Sequence, residues 1–290
     1  MTYAVRPSLC FGIAAALLCL GSAGGGVAAA EETVALAPHR AIYDLTLTTT
    51  RGGTGVTSVA GRMAYDLVGS ACEGYTQNMR LVTRLAYQSG GGSVTDLRST
   101  TWEDAAGKHF RFDSSNFRDD KATETTAGDA ARQDLSQEIK VELTKPAKRS
   151  VFLPSGAYFP IQHTIALIEA ARAGKSSFRA DLYDGSDKGE KVYDTVTALG
   201  RAMSPGSNRK LRKVAHADRL NGVRAWPVSI AYFEPRTDGL DALPVYEITF
   251  WMFENGVSRK LSIDYGDFAL EGDLTDIEFH EPSKCEKQKP

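Results

Sequence analysis

Cys72, Cys285, five histidines and a few clustered acids are the residues with chemistry to offer, and their spacing decides which chemistry that is. His39, His109, His163, His216 and His280 are scattered, with no two at the separation that places a pair on one helix or strand face. A metal site would have to be assembled across the fold, and each histidine reads as an ordinary surface or helix-end residue. Asp184, Asp187 and Glu190 offer oxygen ligands, yet their spacing departs from an EF-hand loop and its other ligands are missing. A hairpin turn accounts for them better. Ser207-Asn208-Arg209-Lys210 matches a Ser-x-x-Lys nucleophile only formally, without the accompanying Ser-Asp-Asn and Lys-Thr-Gly, and it sits in a basic loop. No Gly-x-Ser-x-Gly elbow, His-Glu-x-x-His pair or phosphate-cradling glycine motif occurs. The residues therefore nominate no catalytic group, no metal and no cofactor. A paired-carboxylate hydrolase stays open, since it needs only two acids at the right separation.

The two cysteines take their meaning from residues 1–30. Arg6 supplies a positive start, Leu9 to Leu20 a short apolar run and Ala28-Ala29-Ala30 a small-residue cleavage site, the pattern of a cleaved secretory signal peptide. The apolar run is shorter than the roughly 20 residues a spanning helix needs, so an uncleaved membrane anchor is the weaker alternative. A lipoprotein would carry small residues before its cysteine, whereas Leu17 and Leu18 precede Cys19. Cleavage makes Glu31 the mature N-terminus and removes Cys10 and Cys19. Cys72 and Cys285 are left as an even pair outside the cytoplasm and are expected to form a disulfide. A reactive thiol pair or two ligands of a metal are the alternatives, and neither cysteine has a second close Cys or His.

Composition bounds the partners. Losing Arg6 with the signal moves the formal charge only from −2 to about −3, so neither charge nor motif supports nucleic-acid binding. Arg209, Lys210, Arg212 and Lys213 form the dense basic run. It would suit anionic envelope head groups, and a solvated strand edge protected by cations explains it more simply. Residues 31–290 show no linker and are expected to form one domain, and the whole sequence, with 42% hydrophobic residues, 12 Phe and 11 Tyr, can build a core.

The elements that would position these side chains are mostly strands. Tyr43, Leu45 and Leu47 alternate with polar residues, as do Met63, Tyr65 and Leu67; Met79, Leu81 and Leu85; Ile139, Val141 and Leu143; Trp226, Val228, Ile230 and Tyr232; and Val257 to Tyr265. Tyr246, Ile248, Phe250 and Met252 oppose Val245, Trp251 and Phe253, which predicts a strand covered on both faces. Turn chemistry separates these runs at Gly90-Gly91-Gly92, Gly185 to Gly189, Asn221-Gly222 and Asn255-Gly256. The two Asn-Gly pairs predict type I′ hairpins. The pattern is an antiparallel meander with one main helix. Pro160 opens the helix, Ile161, Ile165 and Ile168 share a face, and Gly174 ends it. Residues 113–136 are polar and read as exposed edge or loop.

Several segments together resemble a known family. Gly61-Arg62-Met63-Ala64-Tyr65-Asp66-Leu67, Ser70-Ala71-Cys72-Glu73-Gly74-Tyr75, Phe152-Leu153-Pro154-Ser155-Gly156, Leu182-Tyr183-Asp184-Gly185, Trp226-Pro227-Val228-Ser229 and Asp264-Tyr265-Gly266-Asp267-Phe268 are similar, in this order, to the EipB family of periplasmic cell-envelope integrity proteins. The resemblance covers residues 31–290. It implies a monomer with a mostly β fold: a single bent, spiral-like antiparallel sheet, a half-open barrel. It also implies a disulfide matching Cys72 and Cys285 and maintenance of the envelope, and it supplies no catalytic residues. The expected function is non-enzymatic binding or scaffolding in the periplasm, with an envelope component or periplasmic protein as partner. A carrier shielding a lipid or acylated peptide with Phe250, Trp251 and Met252 is the second reading, and an envelope-polymer hydrolase the third.

Overall fold

The structure, a computed structural model, describes residues 33–51, 55–204, 206–235 and 243–285, with the side chains of residues 209 and 210 outside that set. The expected signal peptide and its cleavage site lie outside the described residues. From Val34 onward the chain forms one compact unit. Its elements are β1 (His39–Thr50), β2 (Val56–Ser70), β3 (Gly74–Tyr87), β4 (Gly92–Glu103), β5 (His109–Arg118), β6 (Lys121–Ala131), β7 (Ile139–Lys145), β8 (Arg149–Leu153), α1 (Pro160–Arg172), β9 (Ser177–Leu182), β10 (Tyr193–Leu199), β11 (Ala225–Phe233), β12 (Tyr246–Phe253), β13 (Ser258–Asp264) and β14 (Phe268–Phe279). All fourteen strands belong to one sheet, ordered β8 through β1 and then β14 back to β9. Every neighbouring pair is antiparallel.

The sheet does not close by strand pairing, because β8 and β9 end it. The chain leaving β8 comes across to the β9 edge instead: Tyr158 N–H donates to Asp181 C=O at 2.7 Å and Tyr183 N–H to Tyr158 C=O at 2.9 Å, a short parallel bridge. The loop after β9 reaches further, with Lys188 N–H on the Glu124 carboxylate at 3.1 Å and Glu190 paired to Arg149 at 2.5 Å. Cross-strand ion pairs such as Arg62 with Asp44 and Arg111 with Asp129 join directly opposed residues and favour the observed register.

Residues 113–118 and 121–131 lie in β5 and β6, interior strands of the sheet, which corrects the expected exposed edge or loop. Their small residues are demanded by bulky neighbours: a Cβ on Gly128 would lie 2.9 Å from Phe112 Cζ and 3.2 Å from Leu143 Cδ2. Asn255-Gly256 does turn the β12–β13 hairpin, but Gly256 N–H donates to Phe253 C=O and only Gly256 has positive φ, at +85°. That is a three-residue type I turn with a glycine bulge, not type I′. Asn221-Gly222 is no hairpin; it follows a 3-10 turn, Ala217–Leu220, late in the long β10–β11 connection. That connection also carries the basic run, so Arg212 and Lys213 are exposed on a loop and not on a strand edge, while the side chains of Arg209 and Lys210 lie outside the described ones. β12 is covered on both faces only toward its end, where Trp251 and Phe253 pack with Leu220 and Ala225; Val245 is 40% exposed.

Cys72, in the β2–β3 turn, is bonded to Cys285, with Cα atoms 5.8 Å apart across a sequence separation of 213. The C-terminal tail is laid along the same end by Ser283 N–H on Gly69 C=O, 3.1 Å. A crosslink closing so long a loop stabilises by up to about 5 kcal/mol through the unfolded chain. The oxidised protein is therefore expected to show no free thiol in denaturant without reductant, and Cys72→Ser to lower Tm with the fold retained. Two titratable thiols would contradict the bridge.

Candidate functional site

One interior space lies between α1 and the sheet. The helix starts at Pro160, whose missing N–H costs nothing at a first turn. It stops at Gly174, φ +71°, where Gly174 N–H bonds Ala171 C=O and Lys175 N–H bonds Ala170 C=O, a Schellman end. Its N-cap, Phe159, gives no side-chain hydrogen bond. The carboxylate of Glu103, at the end of β4, takes that role from a distance, accepting from Ile161 N–H at 2.7 Å and Gln162 N–H at 3.0 Å. Beside it Arg132 donates to Gly107 C=O at 2.9 Å and to Ala157 C=O, and lies 4.3 Å over the Phe159 ring. Glu103 is 1% exposed, and burial pushes its carboxyl up to about 8 against the opposing pull of the two amides and Arg132.

Ile168, Ala170 and Ala171 on the C-terminal half of α1 pack tightly with Leu199, Trp226 and Val228 in the main core cluster. Beside the N-terminal half of α1 is a partly open cavity of about 260 Å³ lined by Ile161, His163 and Leu167 on the helix and Met63, Ile230, Ile248 and Phe250 on the sheet. No Asp, Glu, Lys or Arg lines it among the described residues. Its polar groups gather near β1 to β3. Gln77 Nε2 donates to Tyr65 Oη at 2.9 Å, and Tyr43 Oη donates to Ser258 C=O at 2.8 Å. His39 Nδ1 donates to Ala37 C=O at 2.7 Å, which fixes its proton there and leaves Nε2 as a bare acceptor. Burial lowers the His39 pKa, so the ring is neutral at pH 7.

His163 is the one imidazole in contact with a hydroxyl in this space. Its Nε2 lies 3.3 Å from Thr195 Oγ1, but that hydroxyl donates to Ala180 C=O at 2.7 Å and so accepts from the ring. Burial pushes His163 down to about 4. With the hydroxyl proton already committed to a carbonyl and no carboxylate orienting the ring, the pair has the wiring of a core hydrogen bond, not of a nucleophile and its base.

The histidine expectation is corrected for two of five residues: His39 and His163 are buried and line the cavity. Both were visible in the pattern. His39 shares strand parity with Ala41, Tyr43 and Leu45, and His163 falls in the helical stripe with Leu167 and Ala171. His109 and His216 are exposed, and His280 pairs with Asp66 at 2.8 Å. Asp184, Asp187 and Glu190 serve the β9–β10 loop, on Ser186 N–H, Lys191 and Arg149 respectively. Ser207 Oγ donates to Ser204 C=O at 2.7 Å. Phe250 and Met252 face the cavity, whereas Trp251 packs on the other side of β12. Among the described residues no three His, Cys, Asp or Glu cluster as a metal site, and no helix is long and apolar enough to cross a membrane.

The folded pKa of Glu103 exceeds its ordinary value of 4.5. Its contribution to stability is then fully present below about pH 4.5 and lost as pH rises through about 8. Urea unfolding from pH 5 to 9 should show the wild-type advantage over Glu103→Gln shrinking as pH rises. An advantage that grows with pH would contradict a protonated Glu103 in the fold.

The EipB-like family model matches residues 30–281. The cell envelope integrity protein EipB of Brucella abortus (strain 2308) is 38% identical over 260 residues, 89% of this chain and 90% of that protein. A crystal structure of a β-barrel-like protein of a domain of unknown function, from Brucella abortus, matches with TM-score 0.77 at 37% identity, over 85% of this chain and 99% of that one.

Proposed function

The chain belongs to the EipB-like family, and from that premise we propose that it maintains cell-envelope integrity as a non-enzymatic binding or scaffolding protein of the periplasm. The name of the Brucella relative supports the envelope role. The observation that carries the binding mode is the space between α1 and the sheet: apolar walls from both, with a few polar side chains among them. Such a space selects by shape and hydrogen bonding. Export by a signal peptide over residues 1–30, cleavage before Glu31 and a monomeric state belong to this proposal, and the long-range disulfide fits an oxidising compartment.

The second reading, a carrier for a lipid or acylated peptide, is favoured by the inward placement of Ile248, Phe250 and Met252. A hydrolase of envelope polymers is the least supported, because the one hydroxyl–imidazole contact of the cavity is wired as structure.

Occupancy spreads its free energy over several anchors, whereas loss of one nucleophile or base commonly costs orders of magnitude in rate. In a strain lacking the gene, alanine variants of His109, His163, His216, His280, Asp184, Asp187 and Glu190 with normal abundance should each restore most resistance to detergent. One well-folded variant that behaved as a deletion would replace this reading with an enzymatic one.

A further inference from the structure

The cavity beside α1 is specific in its charge as well as its shape. Its lining has no ionic side chain among the described residues, and the buried arginines are committed elsewhere: Arg132 donates to Gly107 C=O and Ala157 C=O, and Arg259 donates through Nη1 to Asn208 Oδ1 at 2.5 Å and through Nη2 to Arg212 C=O at 2.9 Å. At the polar end, Tyr65 accepts from Gln77 and its own O–H has no acceptor, while the adjacent His39 presents an unpartnered Nε2, the two rings 5.5 Å apart. His39 lines the cavity and its Nε2 makes no hydrogen bond among the described residues. A phenol donor and an imidazole acceptor are therefore carried on neighbouring rings at the edge of an apolar space. A volume of about 260 Å³ is at the lower edge of ligand cavities and suits one chain, not the two of a phospholipid.

Resting on the binding function above, we propose that this cavity takes the single apolar chain of an uncharged amphiphile, whose hydroxyl-type or amide-type head accepts from Tyr65 Oη and donates to His39 Nε2. An ionised head would lose its hydration with no counter-charge to meet it. A head with only acceptors would leave His39 unpaired.

The test is titration calorimetry of the full mature chain with three probes sharing a decyl-length tail, each below its micelle concentration: 1-decanoylglycerol, decanoate and decyltrimethylammonium. The neutral probe should bind at least tenfold more tightly than either ion at pH 7.5. Tyr65→Phe should weaken it about tenfold, the value of one hydrogen bond, and Ile248→Trp, which fills the space, should remove binding. Should Tyr65→Phe fail to fold, Ile248→Trp decides the location alone, and competition with the neutral probe by 1-decanol, a bare hydroxyl head, decides the head chemistry. Equal binding of decanoate overturns the neutral head, and neutral binding unaffected by Ile248→Trp overturns the site. No binding by any probe overturns the inference and leaves the broader function to its own genetic test.

Discussion

A helix cannot enter an apolar interior with its first-turn amides unanswered, and the contact of Glu103 with Ile161 and Gln162 is how this fold meets that requirement. Phe159 has no side-chain acceptor to offer, so the cap comes from β4, 58 residues earlier in the chain. Burying an ionised carboxyl there is costly, and two amide donors, the positive end of the helix and the nearby Arg132 guanidinium offset that cost only in part, so the group holds its proton up to about pH 8. Arg132 in turn is tied to Ala157 C=O and to the Phe159 ring, the residues on which the chain turns from the β9 edge into α1. One polar cluster thus sets both where the helix begins and how the unclosed sheet is bridged.

Position at the N-terminus decides the rest of the interior. Held at that end by Glu103, the helix lays Ala170 and Ala171 flat against the sheet near its C-terminus, where small side chains permit close approach. Toward Pro160 the cavity lies between the helix and Met63 and Ile248. Its histidines are held neutral by burial, and its walls come from seven strands, β1, β2, β3, β9, β11, β12 and β13, and one helix.

Much of this was legible before the fold. Period-two alternation located β1, β2, β3, β7, β11 and β13, and Pro160 with Gly174 bracketed α1 because both residues act through their own backbone geometry. β6 was not legible, since Gly128 and its small neighbours are chosen by Phe112 and Leu143, which are distant in sequence. Glu103 gave no local signal for the same reason: its partner amides belong to a helix that begins far along the chain. His39 and His163 were legible in principle, because each occupies a buried phase of its element, but a histidine read one at a time looks like surface. Asn255-Gly256 marked the right hairpin with the wrong turn, as the extra residue Glu254 shifts the bend to a type I turn with a bulge.

The central claim is that envelope function depends on the space between α1 and the sheet being available. Replacing the native gene with one encoding Ile248→Trp, and measuring detergent resistance alongside Tm, abundance and disulfide formation, tests it most directly. The account predicts a folded, oxidised, normally abundant protein that leaves the envelope as sensitive as the deletion does. Full resistance in a strain carrying that filled cavity would contradict it.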